Sequence, residues 1–131
     1  MERNDRARVL CVDDDPNVLA ALHRQLRHRY DVVLARGAAV ARERLLDSGP
    51  FAVILSDLHM AGTDGLAFLA AARTIAPHTP AILLTGSEDA PTTGVPPGLV
   101  RQRLTKPCPP AELWAALDAA IGEYDAQRAA G

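Results

Sequence analysis

The chain has 131 residues, 48% of them hydrophobic but only 4% aromatic, and a formal net charge of −2. That size suits one domain with a full core built from Ala, Leu, Val and Ile, and we expect residues 1–131 to form a single unit with its core over about 7–124. The balanced charge gives no general pull toward nucleic acid or membranes, and no apolar run is long enough to span a bilayer. The charged start lacks the apolar segment of a signal peptide. Cys11 and Cys108 lack metal-ligand spacing, so free thiols in a reducing cytosol are expected.

In chain order, residues 1–6 are expected to fray. Ala7-Arg8-Val9-Leu10-Cys11-Val12 reads as a strand buried on both faces, and it runs into Asp13-Asp14-Asp15. Pro16 then opens a helix, with Val18, Leu19, Leu22 and Leu26 at helical spacing to about Arg27 and with Asp15 as the N-cap. Asp13 and Asp14 remain, crowded at a strand end, where like charges repel unless a cation relieves them. Hard oxygen donors of this kind suit Mg²⁺; a solvated acidic turn is the alternative. Tyr30-Asp31-Val32-Val33-Leu34-Ala35 predicts a second strand. A helix over 38–47 follows, with Val40, the Arg44 stem, Leu45 and Leu46 facing inward.

After the turn at Ser48-Gly49-Pro50, the run Ala52-Val53-Ile54-Leu55 predicts a third buried strand, which ends on Ser56-Asp57. In open parallel sheets, ligand chemistry gathers at the carboxyl ends of strands. Asp57 stands at such an end. Thr63 or Asp64 caps a helix carrying Leu66, Phe68, Leu69, Ala72 and Ile75 and stopped by Pro77. Pro80-Ala81-Ile82-Leu83-Leu84 is a fourth strand, leading to Thr85-Gly86. Residues 87–99 hold Pro91, Pro96 and Pro97 with Gly94 and Gly98, so a helix there is expected to be short, displaced or absent. Val100 to Thr105 is a weak last strand leading to Lys106-Pro107. Pro110 opens a final helix with an apolar stripe of Leu113, Trp114, Leu117 and Ile121, in which Trp114 is expected to be core or interface.

Five strands alternating with helices imply a doubly wound parallel sheet with right-handed crossovers. Such a sheet gathers Asp13, Asp14, Asp57, Thr85 and Lys106 at one edge. Together they form a carboxylate cluster for a divalent metal, with a hydroxyl and an ammonium around a carboxylate that could act as nucleophile. Among 14 basic residues Lys106 is the single lysine. A lone lysine is expected where a compact ammonium does what a broad guanidinium cannot, with chance retention as the alternative.

This set resembles the receiver domain of bacterial two-component response regulators, over nearly all of residues 9–121. The resemblance rests on Val12-Asp13-Asp14-Asp15-Pro16, Ser56-Asp57-Leu58-His59-Met60, Asp64-Gly65, Leu84-Thr85-Gly86 and Leu104-Thr105-Lys106-Pro107. It implies a flavodoxin-like fold, strand order 2-1-3-4-5, and a signalling switch whose only catalysis is its own phosphorylation and dephosphorylation. Asp57 resembles the phosphoacceptor, served by a histidine kinase or phosphotransfer protein. Asp13, Asp14, Asp57 and the His59 backbone carbonyl resemble the Mg²⁺ ligands. By the same resemblance Lys106 pairs with Asp57 at rest, Thr85 offers its hydroxyl to the phosphoryl group, and the Lys106-Pro107 peptide is cis.

Two departures stand out. Ala61 occupies a usual proline position. Arg103 stands where the family carries an aromatic residue that turns inward, a movement that would cost an unpaired Arg several kcal/mol of desolvation, roughly. Arg101 and Arg103 are therefore expected to offer a basic strip to an acidic output partner, with solvated arginines that discourage edge pairing as the alternative. By the same resemblance His59 lies near the path of a hydrolytic water, with an exposed histidine of no effect as the alternative, while His23, His28 and His78 are assigned to the surface. Two other readings compete: an adaptor that binds partners without phosphorylation, and a phosphohydrolase, for which His59 replaces the second carboxylate usually needed.

Overall fold

The computed structural model describes residues 6–60, 63–86 and 95–130. Five parallel strands form one sheet: β1 (Arg8–Asp13), β2 (Asp31–Arg36), β3 (Val53–Asp57), β4 (Ala81–Thr85) and β5 (Gln102–Thr105). Their order is β2-β1-β3-β4-β5, as the sequence led us to expect. Helices α1 (Pro16–Leu26), α2 (Ala38–Asp47), α3 (Gly65–Ile75) and α4 (Pro110–Ala130) complete the fold among the described residues. A two-residue antiparallel pairing of His59–Met60 with Thr63–Asp64 lies between β3 and α3.

The continuous apolar runs follow from the double covering. Side chains alternate across a strand, so Val9, Cys11, Val53 and Leu55 meet Leu19, Leu22 and Leu26 of α1 and Leu113 and Leu117 of α4. Their neighbours Leu10, Val12 and Ile54 meet Ala41 and Leu45 of α2 and Phe68, Leu69 and Ala72 of α3. Each fully buried leucine adds about 1.5–3 kcal/mol of transfer free energy. Caps set where the helices begin: Asp15 accepts from Asn17 N at 2.8 Å and Asp64 from Ala67 N at 2.7 Å. Either carboxylate answers amides that the first turn leaves without partners.

The α1–α4 seam is closed by side-chain bonds. The Tyr30 hydroxyl donates to Asp118 at 2.6 Å, Arg29 pairs with Asp118 at 3.0 Å, and Trp114 Nε1 donates to the Gln25 carbonyl at 3.1 Å. The Arg29 guanidinium also lies 4.7 Å from the centre of the Trp114 ring. Trp114 thus packs against the core and the seam, as its spacing predicted.

The last helix runs on to Ala130, and Tyr124 is the last of its residues to be buried. Two expectations need correction. Leu46 does not face inward: it is 66% exposed, because Ala41 and Leu45 already fill the inner face of α2. Arg101 lies before β5 rather than within it, and its guanidinium pairs with Glu123 of α4 at 3.0 Å. It therefore reaches the expected basic strip already neutralised, whereas Arg103 is half-buried inside β5.

The irregular segment expected over 87–99 lies, for residues 87–94, outside the described residues, as does Ala61. Residues 95–101 carry no helix. Gly98 turns the chain at φ +82° and Leu99 is buried against the sheet. Among the described residues, no helix is long and apolar enough to cross a membrane.

Candidate functional site

The carboxyl ends of β1, β3 and β4 and the segment after β5 meet at one edge of the sheet. Parallel register puts them there: Asp57 pairs with Leu84, Thr85 with Thr105, and the Lys106 amide donates to the Thr85 carbonyl at 2.8 Å. Lys106 Nζ is the centre of the cluster. It donates to Asp57 Oδ1 at 2.9 Å and to Asp13 Oδ2 at 3.4 Å. The Lys106–Pro107 peptide is cis, and so is Gly49–Pro50.

Asp13 is 2% exposed. Burial pushes its carboxyl above the usual range, and the Asp57 charge adds to this; the Asp15 amide and the Lys106 ammonium offset only part. The Asp15 amide donates to Asp13 Oδ1 at 2.9 Å, so Asp15 caps α1 with its side chain and holds Asp13 with its backbone. Burial works against the Lys106 charge. The hydrogen bond to Asp57 and the charges of Asp13 and Asp57 outweigh burial and leave its pKa above that of an ordinary lysine.

Asp14 is half-buried beside them. Thr85 is buried, and its hydroxyl donates to the Leu104 carbonyl at 3.5 Å, a long bond that costs little to break. His59 is exposed and paired through its backbone position with Asp64. Asp13, Asp14, Asp57, Thr85 and Lys106 thus lie together at this edge, with His59 two residues beyond Asp57.

The donor set suits a hard cation. Among the described residues no three His, Cys, Asp or Glu side chains are drawn together into a metal cage. Mg²⁺ asks for no such cage, since it takes one or two carboxylates and keeps several waters. Asp13 and Asp57, facing one ammonium, supply the charge such an ion would balance.

Two residues at this edge had no role in the sequence reading. Gly65, the first residue of α3, presses against β3: a Cβ there would run into the Asp57 carbonyl oxygen and come within 3.0 Å of Leu58 Cα. The Asp64-Gly65 pair was visible in the sequence, but the close approach behind it was not. Arg36, at the end of β2, donates from Nε to the Asp14 carbonyl at 3.0 Å. Nothing local in the sequence marks that contact.

The sequence model of the response regulator receiver domain matches residues 9–118. The chain belongs to that family. This receiver domain is 33% identical over 117 residues to the transcriptional regulatory protein GlrR of Escherichia coli K12, covering 88% of the chain and 26% of that protein. It is 35% identical over 117 residues to PrrA of Mycobacterium tuberculosis H37Rv, covering 87% of the chain and 49% of that protein. The chain therefore spans from about a quarter to half the length of these curated relatives.

Among solved structures, it is similar to the signal receiver domain of an HD domain-containing protein from Pseudomonas fluorescens Pf-5. That match has a TM-score of 0.83 and 30% identity, and it covers 98% of this chain and 96% of that one. A chain described as adenylate cyclase from Rhodopirellula baltica matches with a TM-score of 0.89 and 34% identity, covering 95% and 93%. The receiver assignment places the chain among two-component response regulators, whose matched relatives are bacterial.

Proposed function

We propose that this receiver takes a phosphoryl group onto Asp57 from a histidine kinase or phosphotransfer protein and thereby changes which partners it binds. The observation that carries the reading is Lys106 Nζ at 2.9 Å from Asp57 Oδ1 and 3.4 Å from Asp13 Oδ2, a cation shared by two carboxylates at a strand-end edge. An Asp57 carboxylate oxygen attacks phosphorus, the nitrogen–phosphorus bond of the donor phosphohistidine breaks, and the imidazole nitrogen leaves with the electron pair and takes up a proton. Lys106 passes from the carboxylate to the phosphoryl oxygens. Thr85 gives up its long bond to the Leu104 carbonyl and donates to the phosphoryl group instead.

Asp13, Asp14, Asp57 and the His59 carbonyl would hold Mg²⁺, which supplies neutralisation of phosphoryl charge when bound. Asp13 is buried beside Asp57 and its carboxyl is raised chiefly by burial, which suits a resident ligand carboxylate. Residues 1–131 act as one receiver unit in the cytoplasm. An output partner engages the face near Arg101 and Arg103, with no direct nucleic-acid or membrane contact. The chain is a switch, not an enzyme acting on other substrates. Arg103 in β5 favours one second reading, an adaptor that binds without phosphorylation.

Intact mass of wild type and Asp57→Ala after incubation with Mg²⁺ and acetyl phosphate tests the choice. One added phosphoryl group on wild type alone is expected. If wild type takes none, and beryllium fluoride also fails to bind, the adaptor replaces the switch.

A further inference from the structure

The acidic loop after β1 is held from across the sheet. Arg36, the last residue of β2, pairs in register with Asp13, and its Nε donates to the Asp14 carbonyl at 3.0 Å. The next amide, Gly37 N, donates to the Asp13 carbonyl at 3.1 Å. Gly37 adopts φ +92°, a conformation that glycine reaches without strain, and a Cβ there would lie 3.5 Å from Asp14 Oδ1. Consecutive carbonyls of the loop are thus gripped by consecutive residues of the β2–α2 corner. Adjacent carboxylates repel, and a loop left to itself would turn one outward to relieve the repulsion. Fixing both peptide planes opposes that turn.

Arg36 brings two separable things to this corner: a hydrogen bond from Nε and a positive charge. Its side chain is exposed, where an ion's field is screened by water and salt. The hydrogen bond, by contrast, sets the orientation of one peptide and, through it, the direction of the Asp14 side chain. The charge would also repel a divalent cation, so it cannot be what favours one.

We propose that Arg36 is a positioning residue for the acidic loop: its Nε bond to the Asp14 carbonyl, not its charge, holds Asp14 where a divalent cation can use it. The proposal rests on the reading of Asp13, Asp14 and Asp57 as Mg²⁺ ligands.

Side-chain chemistry offers a clean separation. In glutamine the amide nitrogen stands at the same place along the side chain as arginine Nε, after three carbons, so Arg36→Gln keeps the donor and removes the charge. Arg36→Met keeps the stem and removes both. Mg²⁺ would be titrated into the wild type and both variants, with the dissociation constant read from amide chemical shifts and folding checked by metal-free thermal unfolding. Arg36→Met is expected to weaken Mg²⁺ binding about three- to tenfold, the worth of one hydrogen bond, while Arg36→Gln stays within about twofold of wild type. Equal weakening in both variants, or an unchanged Arg36→Met, overturns the positioning role. Absence of Mg²⁺ binding by the wild type overturns the metal reading itself, a result distinguishable from either.

Discussion

Two polar clusters of this receiver are built to opposite ends. At the α1–α4 seam, Tyr30, Arg29 and Asp118 satisfy one another, and the Tyr30 phenol, pushed up to about 12 by burial and then by its bond to Asp118, stays protonated. At the carboxyl edge of the sheet, Asp13 is buried, and its partners offset only part of the burial cost that raises its carboxyl pKa. The seam uses polar groups to fasten two helices. In the proposed function, the site uses them to keep a charge imbalance ready for an incoming ion or phosphoryl group. Buried polarity therefore says nothing about stability until its partners are counted.

The comparison can be broken by substitution. The largest effect is expected from Gly65→Ala, where a methyl group meets backbone rather than a yielding side chain. A loss of about 1–3 kcal/mol in denaturant unfolding is expected, together with loss of phosphoryl uptake as Asp57 is displaced. Full uptake by that variant would mean that α3 can shift without moving Asp57. Tyr30→Phe comes next, removing one seam hydrogen bond and costing about 1 kcal/mol in the same assay.

Asp13→Asn should change stability in the other direction. A carboxyl whose folded pKa is raised favours the fold when protonated, so its contribution is complete below its ordinary value of 3.8 and is lost as pH rises through the raised value. An asparagine cannot ionise. The metal-free variant should therefore be more stable than wild type at pH 7, with the gain fading under acid, as followed by thermal unfolding across pH. A loss at pH 7 like that of Tyr30→Phe would make the two clusters alike.

The sheet order and the site edge were legible because both rest on strong local signals: apolar runs of strand length, each stopped by a polar residue that chemistry could use. Asp15 and Asp64 announced their helices for the same reason. What escaped was set by distant partners. Leu46 satisfied the helical spacing, but Ala41 and Leu45 had already filled the inner face of α2. Arg101 looked like half of a basic strip until Glu123, 22 residues away, took its charge. Arg36 reaches a loop that precedes it by a whole helix, so no window along the chain contains both donor and acceptor.

The solitary lysine has a practical consequence. Every other basic side chain but the histidines is a guanidinium, so Lys106 is the only side-chain amine that an acylating reagent can find. It lies at the centre of the site, clasped by two carboxylates that keep it protonated and so unreactive. The rate at which a simple amine label enters that position becomes a clock for how firmly the carboxylates hold it. In this molecule, a reagent usually regarded as indiscriminate meets one side-chain amine, so beside the α-amino group only one position takes the label.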